Sequence, residues 1–437
     1  MADERFLVVG LGVAAESMVR QARRRGHDVV VLEDRPSDVS RERAARLGVE
    51  MVTDVDVATL VAAVDAVLPS PGVAIGHSAI QTALASGVPV WTEFELAAQW
   101  DSRPLVAITG TNGKTTVTTL VEEMLRSSGR RVVACGNNDL PLIEAIADPD
   151  IELFVVEASS FRLEFTETFR PIVGTWLNFS PDHLDWHPDL THYADAKSKI
   201  WRSQCPDDLA IGNVDDVEVM RHLRRAPSRQ QTFGLTGGDY RVSDDMLVTP
   251  DGGEIAAVAD LPRNLPHDVA NSLAAAATAI GAGAAVETCG AVLRSFAGLP
   301  HRVALVRDAG GVRWYDDSKA TTPASVVTAV SGFDSVVLIA GGKNKGLDLG
   351  VLRDVAPRIK HVVAIGEATT IVEDVFRGVV PTQAANSMDE AVALAAGVAG
   401  PGDVVLLSPG CASYDWYRNY GERGDDFARA VNELEVG

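Results

Sequence analysis

Short apolar runs, each closed by a glycine-bearing turn and followed by a stretch of helical period, recur along the chain. Residues 6–9 (FLVV) lead into Gly10-Leu11-Gly12, a helical pattern follows to Arg25, and a second run at 29–32 ends in Glu33-Asp34. A later run, AVDAVLPSPGV, closes on the turn Pro69-Ser70-Pro71-Gly72. A continuous apolar run reads as a strand buried on both faces, and alternation with helices makes the sheet parallel. This predicts a Rossmann-like unit over 1–93, with ligands at the C-terminal ends of its strands. The rhythm restarts at 105–109, with runs at 132–134, 153–156 and 172–176, and predicts a second unit over 94–298. Runs at 312–315, 336–339, 361–365 and 404–407 predict a third over 299–437. The expected fold class is α/β, in three domains of mostly parallel sheet.

Charge narrows the possible partners. Of 437 residues, 60 are acidic and 39 basic, giving a formal net charge of −21. Such a surface repels phosphate backbones and anionic lipid heads, so neither nucleic acid nor membrane is an expected partner. The longest small-residue run, LAAAATAIGAGAAV from Leu273, reads as a packing helix, and no stretch reaches about 20 apolar residues. The start, MADERFLVVG, lacks the basic residues of a secretion signal. The four cysteines form no CxxC pair. A reduced, cytoplasmic protein is therefore expected. Its basic residues are 32 Arg and only 7 Lys (Lys114, Lys197, Lys199, Lys319, Lys343, Lys345, Lys360). A lysine kept in an arginine-using chain marks a place where a slender ammonium is needed.

Chemistry concentrates where strands end. The segment ITGTNGKTT (108–116) joins a strand to a helix through a glycine-rich turn, whose backbone N–H groups and helix N-terminus suit phosphate oxygens. Lys114 would reach the outer phosphates and Thr115 would ligate Mg²⁺. Ile108 stands where the phosphate-loop pattern has its first glycine. Glu157 closes the apolar strand of FVVEASSF, where a carboxylate suits Mg²⁺; a first-turn helix acid is the plainer reading. NFSPDHLDWH (178–187) gathers Asp182, His183, Asp185 and His187 in one loop, fitted to metal ligation, to substrate orientation or to a capped turn. In THYADAKSKIW (191–201), Tyr193 and Lys197 share a helix face; Lys197 is either a solvated lysine or a buried neutral amine able to take up CO₂ as a carbamate. GLPHRV (298–303) makes a joint between units. WYDDSKATTP (314–323) suits a ribose or phosphate, or a helix cap; AGGKNKGLD (340–348) suits carboxylate or phosphate, or is a solvated turn. LSPGCASYDWYRNYGERG (407–424), after the last strand, has Ser and aromatic residues fitted to line a small pocket or to pack in the core. Gly10-Leu11-Gly12 with Asp34 24 positions after Gly10 fits a dinucleotide turn, yet the first unit is too short for two mononucleotide halves, and UDP fits as well.

Taken in order, GLGVAA, SPG, ITGTNGKTT, VVEASSF, NFSPDHLDWH, YADAKSKI, GLPHR, WYDDSKAT, AGGKNKG, LSPGCAS and NYGERG resemble the Mur ligases, and among them the D-glutamate-adding branch. The resemblance spans essentially the whole chain, and Ile108 in place of the glycine is itself typical of the family. It implies a UDP-binding N-terminal domain, a P-loop-type central ATPase domain and a Rossmann-like C-terminal domain that takes the amino acid. It implies amide synthesis in cytoplasmic peptidoglycan-precursor production. ATP would phosphorylate the carboxylate of UDP-N-acetylmuramoyl-L-alanine, D-glutamate would attack, and phosphate would leave, with domain closure near His301-Arg302. The enzyme is expected to be a monomer with two Mg²⁺ sites.

Residue roles follow from the same resemblance. Gly110, Thr111, Asn112, Gly113, Lys114, Thr115 and Thr116 would cradle ATP, together with Asn271, Arg302, Asp317 and Lys319. Thr115, Glu157, His183 and a carbamate on Lys197 would serve the metal ions, and Lys114, His183 and Lys197 would act in catalysis. Gly12, Val13, Asp34, Arg35, Ser70, Gly72 and Asn138 would hold the UDP-linked substrate. Thr321, Lys345, Ser413, Tyr414 and Tyr420 would form the D-glutamate pocket. Tyr420 stands where the family has Phe, and Tyr414 where it has an aliphatic residue, implying a more polar pocket. The competing readings are a ligase of the same superfamily with another amino acid, and an NAD(P)-dependent oxidoreductase built on the Gly10 turn. The second leaves the phosphate loop, Glu157 and Lys197 unexplained.

Overall fold

The structure is a computed structural model; it describes residues 4–434 except Asp139, Asp185 and Lys345, and the backbone alone of Val13. Its strands form three sheets. The first contains β1 (Arg5–Val9), β2 (Asp28–Leu32), β3 (Glu50–Val52) and β4 (Ala66–Pro69), all parallel in the order β3-β2-β1-β4. Because β1 lies between β2 and β4, the chain reverses direction across the sheet there. The turns after β1 and β4, GLG and SPG, therefore open onto one crevice.

The second sheet contains β5 (Leu105–Thr109), β6 (Val132–Gly136), β7 (Leu153–Glu157), β8 (Val173–Trp176), β9 (Leu209–Asn213), β10 (Arg229–Gly234), β11 (Tyr240–Ser243), β12 (Met246–Val248) and β13 (Glu254–Ala257). The order is β13-β12-β11-β10-β9-β8-β5-β7-β6, parallel except for the pairs β11–β12 and β12–β13. Strand β5 is buried throughout and lies between β7 and β8. That is the switch point of this sheet, so the loops after β5, β7 and β8 meet. The sequence pattern gave no sign of β9 to β13: β9 is a short LAIGN run, β10 (RQQTFG) and β11 (YRVS) are rich in polar residues, and β12 and β13 are only three and four residues long.

The third sheet contains β14 (Ala304–Ala309), β15 (Val312–Asp316), β16 (Val336–Gly341), β17 (Ile359–Ile365), β18 (Thr382–Ala385) and β19 (Val404–Gly410), in the order β14-β15-β19-β16-β17-β18. Only β14 runs antiparallel. Here β19 is inserted between β15 and β16, which brings the ends of those three strands side by side. The α/β fold class expected from the sequence is thus observed.

The chain divides into two compact units, one of 1–264 and 268–296, the other of 265–267 and 297–437. In the first unit the two sheets share a core. Helix Glu93–Trp100 sends Phe94, Leu96 and Ala97 into one cluster with Phe6 of β1, Phe154 of β7 and Trp176 of β8. Burying side chains of this size stabilises by roughly 1.5–3 kcal/mol each, which joins the two sheets firmly. Helix Pro266–Gly281 is the predicted small-residue packing helix, with Ala274 to Ala277 fully buried. Among the described residues, no helix is long and apolar enough to cross a membrane.

Candidate active site

The phosphate loop lies between β5 and helix Lys114–Ser127. Gly113 caps that helix at φ +84°, and a Cβ there would come within 2.6 Å of Asn271 Oδ1, so only glycine lets the loop and Asn271 approach. The loop is held from the next strand over. Asn178, directly after β8, accepts from the N–H groups of Thr111 (3.0 Å) and Asn112 (2.9 Å), and its amide donates to Asn112 O (3.1 Å). Thr111 Oγ1 donates to Ser180 O and accepts from Ser180 N. Thr115 and Thr116 lie in the first turn of the helix, half-buried.

Two lysines converge on one carbonyl. Lys114 Nζ donates to Gly110 O at 2.8 Å and to Thr111 O at 2.9 Å. Lys197, 1% exposed on helix Leu190–Ser198, donates to the same Gly110 O at 2.8 Å, with its Nζ 4.6 Å from the Tyr193 ring centre. Burial, and then the Lys114 ammonium, hold Lys197 well below the ordinary lysine range, against an opposing pull from Asp182. Lys197 is thus buried, unlike the solvated lysine of the plainer reading.

Glu157 ends β7 and is 3% exposed. Its Oε1 accepts from Asn137 Nδ2 at 3.1 Å, whereas Oε2 is buried and has no hydrogen-bond partner among the described residues. Thr109 Oγ1, at the end of neighbouring β5, and Ser159 Oγ are orphaned in the same way. A buried unpaired carboxylate oxygen costs several kcal/mol unless a cation answers it. An all-oxygen set of this kind suits a hard divalent ion such as Mg²⁺. His183 adopts φ +56°, has its Nε2 3.4 Å from Asp182 Oδ2, and lies edge-on to the Phe161 ring at 4.7 Å.

Behind this loop, His187 is buried, with Nε2 2.9 Å from Ser160 Oγ and Nδ1 2.9 Å from His192 Nδ1. Burial above all, and then His192, pull it down to about 3, so it is neutral. Glu164, His187 and His192 lie close enough to share a metal. However, the Glu164 carboxylate already takes the Lys199 ammonium at 2.8 Å, and the two imidazoles are within hydrogen-bond distance of each other. The cluster is a hydrogen-bonded chain.

At the first sheet, Gly12 caps helix Val13–Arg24, and a Cβ on it would meet Ser70 Oγ at 2.9 Å, so the GLG and SPG turns close on each other. Asp34 and Arg35 are exposed, Asp34 lying 3.0 Å from His77 Nε2; Gly72 is exposed in the turn after β4. Asn138 Oδ1 accepts from Leu140 N and caps its own turn.

In the second unit, Asp317 follows β15 and accepts from Ser408 Oγ at 2.7 Å; burial chiefly pushes it up to about 7, against the pull of that hydroxyl and of Arg302. Lys319 Nζ donates to the Tyr420 hydroxyl at 2.7 Å and lies 4.1 Å from its ring centre. Buried Arg423 joins the loops after β15 and β19, donating to Ser318 O, Ser318 Oγ and Cys411 O. Lys343 and Ala412 pair through their backbones, joining the loops after β16 and β19. Ser413 is buried there, Thr321 half-buried and Tyr414 exposed, while Lys345 lies outside the described residues.

Sequence reasoning missed Asn178, Asn137, Trp186 and Arg423 as holders of these loops. For Asn178 and Asn137 a signal existed, a polar amide within one or two residues of a buried strand end. Arg423 carried no signal that separates it from the chain's other arginines.

The loop geometry agrees with what the chain is similar to. Three family models match in order: the MurD-like N-terminal domain of Mur ligases over 4–92, the Mur ligase middle domain over 108–279, and the Mur ligase glutamate ligase domain over 301–411. The UDP-N-acetylmuramoylalanine–D-glutamate ligase of Frankia casuarinae is 41% identical, covering 98% of this chain and 94% of that one. Its counterpart from Syntrophotalea carbinolica is 38% identical over 98% and 97%. Among solved structures, MurF from Acinetobacter baumannii has a TM-score of 0.63 at 21% identity, covering 99% of this chain and 92% of that one. MurC from Thermotoga maritima has 0.60 at 18%, covering 99% and 100%. With three family models matched in order and relatives of this identity along nearly its full length, the chain belongs to the Mur ligase family.

Proposed function

We propose that this chain is an ATP-dependent ligase that joins D-glutamate to UDP-N-acetylmuramoyl-L-alanine in cytoplasmic peptidoglycan-precursor synthesis, acting as a monomer. The observation that carries this reading is the meeting of Lys114 and Lys197 on Gly110 O beside the orphaned Glu157 carboxylate oxygen. Phosphoryl transfer from a triphosphate to a carboxylate needs positive charge, since both partners are anions; Lys114 supplies one charge, and the Glu157 oxygen and a carbamate on Lys197 would draw in the metal ions that supply the rest. The full-length similarity to D-glutamate ligases supports the choice of substrates.

In this reading the substrate carboxylate attacks the γ-phosphorus of ATP, ADP leaves, and an acyl phosphate forms. The D-glutamate amine then attacks the acyl carbon, loses a proton, and phosphate departs with the C–O bonding pair. Residues 110–116 bind the triphosphate of ATP, Asn271 serves its adenine end, and Lys114 leaves its loop carbonyls to meet the phosphates. Thr115, Glu157 and His183 would hold Mg²⁺, which supplies charge neutralisation on the phosphate oxygens. The neutral Lys197 amine takes up CO₂, losing a proton, and becomes an anionic carbamate able to serve the second metal site. Gly12, Val13, Asp34, Arg35, Ser70, Gly72 and Asn138 bind the UDP-linked substrate. Of the second unit, Arg302, Asp317 and Lys319 serve the nucleotide, and Thr321, Lys345, Ser413, Tyr414 and Tyr420 the amino acid.

The test is phosphate release from ATP with UDP-N-acetylmuramoyl-L-alanine present. D-Glutamate should stimulate it and L-glutamate should not. Equal stimulation by both, or by neither, would overturn the assignment.

A further inference from the structure

One loop, 178–187, is fastened at both ends. At its start, Asn178 grips the phosphate loop through three hydrogen bonds. Near its end, the Trp186 indole N–H donates to the carbonyl oxygen of Val73 at 2.8 Å, 113 residues away in sequence. Val73 closes the turn after β4, its N–H donating to Ser70 O, and its side chain packs over Gly10 of the GLG turn. Trp186 therefore holds the turn that, on the functional reading above, faces the UDP-linked substrate. His183 lies between the two fastenings, and the Phe161 ring touches both His183 (4.7 Å) and Trp186 (4.9 Å) edge-on, so the two cannot shift independently. Trp186 also lines a pocket with Ser70, Pro71, Val73, Phe161 and Phe165.

We propose that Trp186 is a positioning residue for the UDP-linked substrate: its N–H fixes the 70–73 turn relative to His183 and the phosphate loop. The shared core sets the distance between the two sheets, and this loop fixes the 70–73 turn within that frame. A substrate anchored by its nucleotide must present a distant carboxylate at the triphosphate. Slack in the turn spreads the bound substrate over poses, most of which are unproductive.

The inference rests on the function proposed above, and the test separates the two. Trp186→Phe keeps an aromatic ring and removes the N–H; Trp186→His keeps a ring N–H at a similar reach. Steady-state kinetics should show the KM for UDP-N-acetylmuramoyl-L-alanine raised about five- to ten-fold in Trp186→Phe, the scale of one lost hydrogen bond. The KM values for ATP and D-glutamate, and the melting temperature, should stay at wild-type values. Trp186→His should lie within about two-fold of wild type for all three substrates. The proposal is overturned if Trp186→Phe leaves the KM for the UDP substrate unchanged, if both variants are equally impaired, or if all three KM values rise together with a fall in melting temperature. Wild-type enzyme that shows no D-glutamate-dependent turnover would instead overturn the functional reading.

Discussion

Lys114 and Lys197 share one acceptor, the carbonyl oxygen of Gly110, each at 2.8 Å. Two ammonium groups drawn onto one oxygen repel, and burial disfavours the charged form further, so Lys197, the more buried of the two, is held well below the ordinary lysine range. An unprotonated amine is nucleophilic, which is the requirement for carbamate formation and is absent from an exposed lysine at neutral pH.

Lys197→Ala is therefore expected to lose two or more orders of magnitude in D-glutamate-dependent phosphate release, with the melting temperature close to wild type. Short carboxylates such as acetate or formate should restore part of the activity by occupying the carbamate's place. Lys197→Arg should not be rescued, because the guanidinium fills the space and stays charged. A folded Lys197→Ala protein that no carboxylate rescues would count against the carbamate.

Glu157 stores a cost that its role explains. With Oε2 buried and unpaired, the carboxylate is more expensive in the free protein than a neutral amide of the same shape. Glu157→Gln should raise the melting temperature of the ligand-free protein by a degree or more. It should also lower kcat at least 100-fold and raise the Mg²⁺ concentration needed for half-maximal rate. A variant that loses stability and keeps its Mg²⁺ dependence would show Glu157 to be structural.

Asn178 answers for the shape of the phosphate loop. Its side chain makes three hydrogen bonds to the backbone of Thr111 and Asn112, each worth about 0.5–1.5 kcal/mol net. In Asn178→Ala the loop loses its preset curvature, and ADP affinity, measured by titration calorimetry, should fall at least ten-fold. Binding of the UDP-linked substrate should change less than two-fold, since that end is held through Trp186. Unchanged ADP affinity would mean that the strand and the helix alone shape the loop.

The strands that carry chemistry were legible because they are buried on both faces. LVAIT (105–109) and LFVVE (153–157) are runs with nothing polar until their last residue. Their turns were legible because Gly110, Gly113 and Lys114 have few other reasons to stand together. Strands β9 to β13 were not legible, since a strand such as RQQTFG (229–234) has four polar residues of six and takes its place from its neighbour β9. The role of Lys197 was only half legible: spacing gave its helix face, but not that the face turns inward onto Gly110. The partners of the loops, Asn178 on Thr111 and Trp186 on Val73, join residues 67 and 113 positions apart, and no local pattern encodes such a pair.

Asp317 sets a pH dependence whose sign can be worked out. Burial lifts its native value to about 7, while an unfolded chain returns it to about 3.9. Between those two values the native state holds a proton that the unfolded state has released, so stability falls as pH rises through the window, and the penalty is complete above pH 7. Asp317→Asn is neutral at every pH and can keep its contacts with Ser408 Oγ and Val303 N–H. Thermal melts should show the variant and the wild type together near pH 4, the variant gaining steadily to pH 7, and a difference of several degrees at pH 8. Its ligase activity should fall sharply, because Asp317 is proposed above to serve the nucleotide and the amide carries no charge. A variant less stable than wild type at pH 8 would mean that the ionised Asp317 is held favourably, with the Arg302 charge outweighing the cost of burial.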